Sequence, residues 1–389
     1  MKKEIQPSRR ASNVSEYWFS RKLKEIAALN AAGCDIVSLG IGGPDLPPPA
    51  RAIDAAVECL RRPDSHSYQM TVGMPELRRA FAGWYSRHYG VDLDSDREIL
   101  PLIGSKEGVL NVAMAFVNPG DGVLVPNPGY PTYTSASKLV EAEIFTYDLD
   151  AEHGWLPDFE ALEQLPLERI KLMWVNYPHM PTGTPASREL FERLVDFGRR
   201  HGILIVNDNP YSFIRNDEPM SILSVPGAKE VALEMNSLSK CLNMAGWRVG
   251  MLAGKDEFVQ YVLRVKSNID SGQPRAIMEG AIAALASESE WYESLNAEYY
   301  RREIVARRIM DALGCEYSQR QQGLFLWGRI PAEAVNSEAF ADEILDRARV
   351  FITPGFIFGT GGDRYIRISL CAPIPTLEKA LNRILSSNK

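Results

Sequence analysis

Cysteine and histidine are scarce in this sequence, five of each in 389 residues. The cysteines (Cys34, Cys59, Cys241, Cys315 and Cys371) are scattered, with no C-x-x-C pair. That spacing excludes a zinc finger or ribbon and offers no disulfide framework, so no metal site is expected. An odd count without a secretion-type leader points to reduced thiols and a cytoplasmic setting. Basic charge is not in surplus either: 43 Lys and Arg face 50 Asp and Glu, a net charge of -7. This argues against a nucleic-acid partner, which asks for a basic face. Lys2, Lys3, Arg9 and Arg10 make a basic start, but no apolar stretch follows them. A solvated arm is expected there, not a targeting signal. No apolar run approaches the ~18 residues of a membrane span, so no membrane partner is expected. Internal repeats and low-complexity segments are also missing.

What remains is ordinary globular composition, 45% hydrophobic and 24% charged, in a chain long enough for two domains. Short Val/Ile/Leu-rich runs occur at Ile99–Ile103, Val123–Val125, Ile144–Tyr147, Leu172–Val175, Ile203–Val206, Val231–Met235 and Val249–Ala253. Helical stretches separate them. That alternation predicts an α/β fold: a large domain with a mostly parallel mixed sheet covered by helices on both faces. After residue 290 the texture changes. A long charged helix is predicted over Trp291–Leu313, a strand within Gly323–Ile330, a helix at Ser337–Arg347, a strand at Tyr365–Leu370 and a last helix at Thr376–Leu385. An early helix is predicted over Tyr17–Ala32. The expected division is a large domain over 46–288 and a smaller α+β domain formed by 1–45 and 289–389.

An aldehyde cofactor that acts as an electron sink asks four things of a protein. These are a lysine for an imine, an acid for the ring nitrogen, a phosphate cradle and a group near the phenolic oxygen. Each has a candidate in a loop after a predicted strand, where open α/β sheets place their sites. Gly104-Ser105-Lys106-Glu107-Gly108 follows a strand and opens a helix, whose free N–H groups suit a phosphate. The same residues also make an ordinary helix start, with serine as cap and glutamate in the first turn. Asp208 lies just past the run Ile203–Val206, and Tyr211 three residues on; the competing reading is an Asx turn before Pro210. The most telling stretch is Ser237-Leu238-Ser239-Lys240, with Arg248 eight residues later. A lysine flanked by hydroxyls at the end of an apolar strand is unusual for a solvated lysine. Arg248 adds a planar fork suited to phosphate oxygens.

On these residues the sequence resembles the class I/II aminotransferases, fold-type I pyridoxal-phosphate enzymes. The resemblance runs from about Ile36 to the last helix. It rests on Tyr68 with Gly73-Met74-Pro75-Glu76-Leu77-Arg78, on Gly104 to Gly108, and on Pro128-Gly129-Tyr130-Pro131. It rests also on Pro181-Thr182-Gly183, Asp208 to Tyr211, Ser237 to Lys240, and Arg364-Tyr365-Ile366-Arg367. It implies a pyridoxal 5'-phosphate-dependent aminotransferase working by a ping-pong mechanism between an L-amino acid and a 2-oxo acid. Lys240 then resembles the lysine that holds the cofactor as a Schiff base and shuttles the proton. Asp208 resembles the ring-nitrogen partner, Tyr211 the donor to the phenolic oxygen, and Tyr130 the aromatic stacked on the ring. Gly104, Ser105, Lys106, Ser237, Ser239 and Arg248 fall at phosphate-cradle positions. Tyr68 matches a tyrosine that reaches the phosphate of a neighbouring subunit, which implies a homodimer with shared sites. Arg367 and Gly42 match positions at the substrate α-carboxylate. Trp18 and Phe19 are candidates to line the side-chain pocket, with simple anchoring of the arm as the alternative. Arg275 is a candidate for a distal carboxylate, although a surface ion pair is the plainer reading. Cys241 is expected to be a buried structural thiol.

One position departs from the family. The chain reads Asn176-Tyr177-Pro178-His179-Met180-Pro181-Thr182-Gly183, with Met180 where the family has asparagine. The resemblance gives that asparagine a bond to the phenolic oxygen and a share in the substrate carboxylate; a thioether cannot donate. A more basic cofactor linkage is therefore expected, unless His179, Asn176 or water fills the place. Two rival functions remain. One is a carbon–sulfur β-lyase on the same scaffold, recognised by release of pyruvate and ammonia without an acceptor. The other is an idle binding module, recognised by no absorbance change with amino acids. The segment Lys266 to Gly272 and the Gly104 loop suggest the branch holding LL-diaminopimelate aminotransferase-like and alanine-type enzymes.

Overall fold

The computed structural model describes residues 5–16 and 18–387. Lys2, Lys3 and the expected helix start at Tyr17 lie outside the described residues. Strand β1 (Val37–Ser38) precedes seven strands that build one sheet. These are β2 (Ile99–Leu102), β3 (Gly122–Asn127), β4 (Glu143–Asp148), β5 (Ile170–Val175), β6 (Leu204–Asp208), β7 (Ala232–Ser237) and β8 (Gly250–Gly254). Their order is β2-β8-β7-β6-β5-β3-β4, and only β8 runs antiparallel to its neighbours. All seven correspond to the apolar runs in the sequence. Every residue of β3, β6, β7 and β8 is buried, which is why these strands read as continuous apolar runs rather than alternating ones. The edge strand β4 shows a single buried residue among exposed and half-buried ones.

The covering helices start and stop on local signals. In the helix Arg188–His201 the Ser187 side chain accepts from the Leu190 N–H, and Gly202 closes the other end at φ 65°. A left-handed glycine there satisfies the last carbonyls without a Cβ clash. A second sheet follows: β9 (Glu316–Tyr317), β10 (Phe325–Arg329), β12 (Thr353–Pro354) and β13 (Tyr365–Ser369), in the antiparallel order β12-β13-β10-β9. Strand β11 (Val350–Phe351) pairs in parallel with β1. Val37 thus lies beside Val350 and Ser38 beside Phe351. The two-residue strands β1, β9, β11 and β12 were not among the expected elements; two residues carry no periodicity.

Buried ion pairs bind the connectors to this frame. Arg302, on the long helix Ser289–Ala312, meets Asp45 at 2.6 Å and Glu298 at 2.8 Å, and donates to the Leu370 carbonyl at 3.1 Å. This fixes the Gly-Pro-rich run around Asp45 against the helix. Arg215 pairs with Glu303 at 2.7 Å and donates to the carbonyls of Gly323 and Phe325. Strand β10 is thereby tied to the loop that follows β6.

Candidate active site

The C-terminal ends of β2, β3, β5, β6 and β7 converge on a cavity of about 570 Å³. Ser105, Lys106, Tyr130, Asp208, Tyr211, Ser237, Ser239, Lys240, Arg248, Gly42 and Arg367 all line it. They come from well-separated stretches of sequence, and the sheet brings them together.

Asp208 ends β6 and is buried. The Tyr133 hydroxyl donates to its Oδ2 at 3.0 Å, while Oδ1 is buried with no hydrogen-bond partner. Burial pushes the carboxyl up to about 7, against the pull of the Tyr133 bond and the Lys240 charge. A buried acceptor without a donor costs free energy. A protonated pyridine nitrogen is a donor that meets this need, so the site fits a pyridoxal ring.

Lys240 sits in the short helix Leu238–Cys241 after β7, and its Nζ donates to the Gly42 carbonyl at 2.6 Å. Burial holds its pKa below the usual lysine value. Arg367 and Arg248 push the same way, and Cys371 opposes them. Gly42 has no room for a side chain: a Cβ would stand 2.3 Å from the Phe325 ring. Close approach of the backbone to Lys240 therefore depends on glycine.

The phosphate end is cationic. Gly104, at φ 77°, precedes the helix Ser105–Phe116, and a Cβ on it would meet Arg248 Nη2 at 2.0 Å. Glu107 reaches back to accept from the Ile103 N–H at 2.8 Å. The cap is thus Gly104, with Ser105 inside the helix and lining the cavity. Lys106 is held below its usual pKa by burial and by the Arg248 charge. Two cations beside a helix N-terminus are relieved by a dianion. On the other wall, Ser237 Oγ donates to Ser239 Oγ at 3.0 Å and accepts from the Ser239 N–H at 3.2 Å.

Tyr130 packs edge-on to Tyr133 with centroids 5.5 Å apart, and Tyr133 stacks on Trp174 at 5.3 Å. Burial pushes the Tyr211 phenol well above its ordinary value. Arg367, on β13, is buried; its Nη2 donates to the Gly40 carbonyl at 2.9 Å and its Nη1 lies 3.3 Å from the Met180 sulfur.

Of the two neighbours of Met180, Asn176 lines the cavity. One Nδ2 hydrogen goes to the Asp208 carbonyl and its Oδ1 accepts from the Met180 N–H at 2.8 Å, which leaves the second Nδ2 hydrogen as a donor. His179 does not line the cavity. Its Nδ1 lies 2.8 Å from Thr182 Oγ1, and burial pushes its pKa down to about 3.

Trp18 is a correction. It does not line the cavity but packs on Phe351, 6.3 Å between centroids, and edge-on to Phe356 at 5.9 Å. Successive helical residues point about 100° apart, and Trp18 packs toward Ile26, Ile36, Leu345 and Phe351 instead. Phe19 lines the cavity in its place. Tyr68 is 92% exposed and does not line the cavity. Arg275 pairs with Glu279 at 2.9 Å and Asp64 at 3.2 Å, the plainer of its two readings. Cys241 is buried, and burial pushes its thiol up to about 12. Sequence reasoning missed Tyr133 and Phe358. Tyr133 lies one helical turn after Tyr130, a spacing that could have flagged it; no local signal marks Phe358.

The family model for aminotransferase class I and II matches residues 34–384. An LL-diaminopimelate aminotransferase of Desulforudis audaxviator is 42% identical, covering 97% of this chain and 96% of its own length. One from Dehalococcoides mccartyi strain 195 is 41% identical, covering 97% of each. Among solved structures, apo-BacF from Bacillus subtilis superposes with a TM-score of 0.95 at 34% identity, covering 100% of this chain and 99% of that one. A probable N-succinyldiaminopimelate aminotransferase from Thermus thermophilus gives 0.89 at 32% identity, covering 95% and 99%. The chain belongs to the class I and II aminotransferases, enzymes that move amino groups with pyridoxal phosphate.

Proposed function

We propose that this cavity is the transamination site, with Lys240 as its catalytic residue and Asp208 and Tyr211 beside it. The observation that carries the reading is the orphaned Oδ1 of buried Asp208, on the same cavity as Lys240. Bound there, pyridoxal phosphate supplies an aldehyde and an electron-withdrawing ring. Asp208 keeps the ring nitrogen protonated. Tyr211 donates to the phenolic oxygen, and Tyr130 covers a ring face. Gly104, Ser105, Lys106, Ser237, Ser239 and Arg248 hold the phosphate. Arg367 takes the α-carboxylate of an L-amino acid, with the Gly42 backbone alongside. Lys240, whose pKa burial lowers, would hold the cofactor through its Nζ and carry the proton of the substrate α-carbon. A 2-oxo acid leaves, and a second one takes up the amino group. No observation favours the lyase.

The working unit is a homodimer in which Tyr68 reaches the partner's phosphate site. Its supports are the exposure of Tyr68 and an apolar stripe on the helix Ala50–Arg61. Ile53, Val57 and Leu60 are exposed there on one face, and Met70 is exposed nearby. Patches of this kind mark interaction surfaces. The domains divide at 46 and 288: the seven-stranded sheet falls wholly between these limits, and β9, β10, β12 and β13 fall after them. The setting is cytoplasmic.

Half-transamination tests the reading. Purified holoprotein is mixed with a panel of amino acids while the cofactor's visible absorbance is followed. Release of the 2-oxo acid with loss of the aldehyde-type absorbance is expected in wild type and not in Lys240→Ala, which would still condense with the amino acid but lacks the base that moves the α-proton. Release that persists at the wild-type rate in Lys240→Ala, or no amino-acid-dependent change in wild type, contradicts it.

A further inference from the structure

We infer that the amino acid taken by this site carries a bulky, uncharged, apolar side chain, and that diaminopimelate is a poor substrate. The inference rests on the transamination reading above, with Arg367 holding the α-carboxylate.

The cavity has two unlike halves. The cofactor half holds four of the charged side chains that line it: Lys106, Asp208, Lys240 and Arg248. The half around Arg367 is lined by Phe19, Leu23, Ile41, Met180, Phe325 and Phe358. Arg367 is the only charged side chain among the described residues lining that half. Its guanidinium carbon lies 3.8 Å from the centre of the Phe325 ring, 4.7 Å from Phe358 and 5.6 Å from Phe19. Among the described residues the one carboxylate lining the whole cavity is Asp208, which the cofactor ring engages.

Diaminopimelate ends in a second ammonium and a second carboxylate. Once Arg367 holds the first carboxylate, neither terminal group has a counter-charge among these apolar residues. Moving an ionised group from water to such a surface is strongly unfavourable unless it is paired. A phenyl or branched aliphatic side chain gains free energy from the same burial. Met180 belongs to this logic: an amide at that position would present a polar group beside Arg367, and the thioether extends the apolar wall.

Two measurements on the holoenzyme test this. The first compares kcat/KM for half-transamination of L-phenylalanine, L-leucine and L-methionine with that of LL-diaminopimelate. An advantage of about a hundredfold or more for the best apolar substrate is expected. The second measures, by calorimetry, binding of the unreactive 3-phenylpropanoate and pimelate. The aromatic acid should bind at least about tenfold tighter. Ile41→Glu, which sets a carboxylate at the half-exposed rim of this half, should lower kcat/KM for L-phenylalanine and raise it for LL-diaminopimelate. Equal or better use of LL-diaminopimelate by wild type overturns the inference, the outcome expected if a partner-subunit carboxylate completes the far end. Equal or tighter binding of pimelate overturns it too. If no amino acid reacts, the transamination reading fails, and the binding measurement still decides the character of the apolar half.

Discussion

Asp208 shows how one buried atom shapes the chemistry. Its carboxyl is pushed up to about 7 because burial disfavours the anion. The sign follows directly. The folded state holds a proton that the unfolded chain releases near pH ~4, so between about pH 4 and 7 Asp208 costs stability as pH rises, about 1.4 kcal/mol for each unit. Glu234, also raised by burial, adds the same sign, and His179, pushed down to about 3, opposes it. The clean comparison is therefore a difference. Apo wild type should lose thermal stability relative to apo Asp208→Asn as pH rises from about 4 to 7. Parallel melting curves would contradict this. Met180 makes a second prediction. With a thioether where an amide would donate, the pH midpoint of the cofactor's visible band should fall by about one unit in Met180→Asn. An absorbance titration of the two holoproteins checks it, and an unchanged midpoint would show that another group fills the place.

At the scale of the element, the phosphate end depends on one backbone conformation. Gly104 combines φ 77° with ψ 152°, a region closed to other residues, and Arg248 fills the space a Cβ would need. Gly104→Ala should therefore weaken cofactor binding at least about tenfold, read from reconstitution of apoprotein. The variant's melting temperature separates this from global unfolding. The helix start was visible in the sequence, but its cap was misread: Ser105 looked like the cap, and the fold gives that place to Gly104. Six of the seven strands were legible because burial on both faces fills them with apolar residues, and the exposed edge strand β4 because its residues are β-branched and aromatic. That Lys240, Asp208, Tyr211 and Arg367 line one cavity was legible because each stands in a fixed local frame. Tyr133 and Phe358 were not, because their roles arise from contacts across the fold. Trp18 was misplaced for a related reason: neighbouring aromatic residues on a helix look alike in sequence, and only packing decides which faces the site.

The whole molecule places the cavity beside two sheets. The cofactor half hangs on the ends of the large sheet, and Arg367 and Phe325 come from the smaller antiparallel one. Arg302 holds the intervening connector through Asp45. Arg302→Met should lower stability by about 2 kcal/mol, because it leaves the partly buried Asp45 and the Leu370 carbonyl without their partner, while Glu298 keeps Arg301; thermal melts check the loss. The proposed sharing of sites between protomers predicts complementation. Mixed dimers of Lys240→Ala and Tyr68→Ala protomers should regain activity that neither parent has, because one of their two sites is intact. The most direct test of the account is the attachment of the cofactor itself. Holoprotein treated with borohydride, digested and mapped by mass spectrometry should carry the reduced pyridoxyl group on the peptide containing Lys240. A label on Lys106 or another lysine, or no label on protein that holds the cofactor, would contradict it.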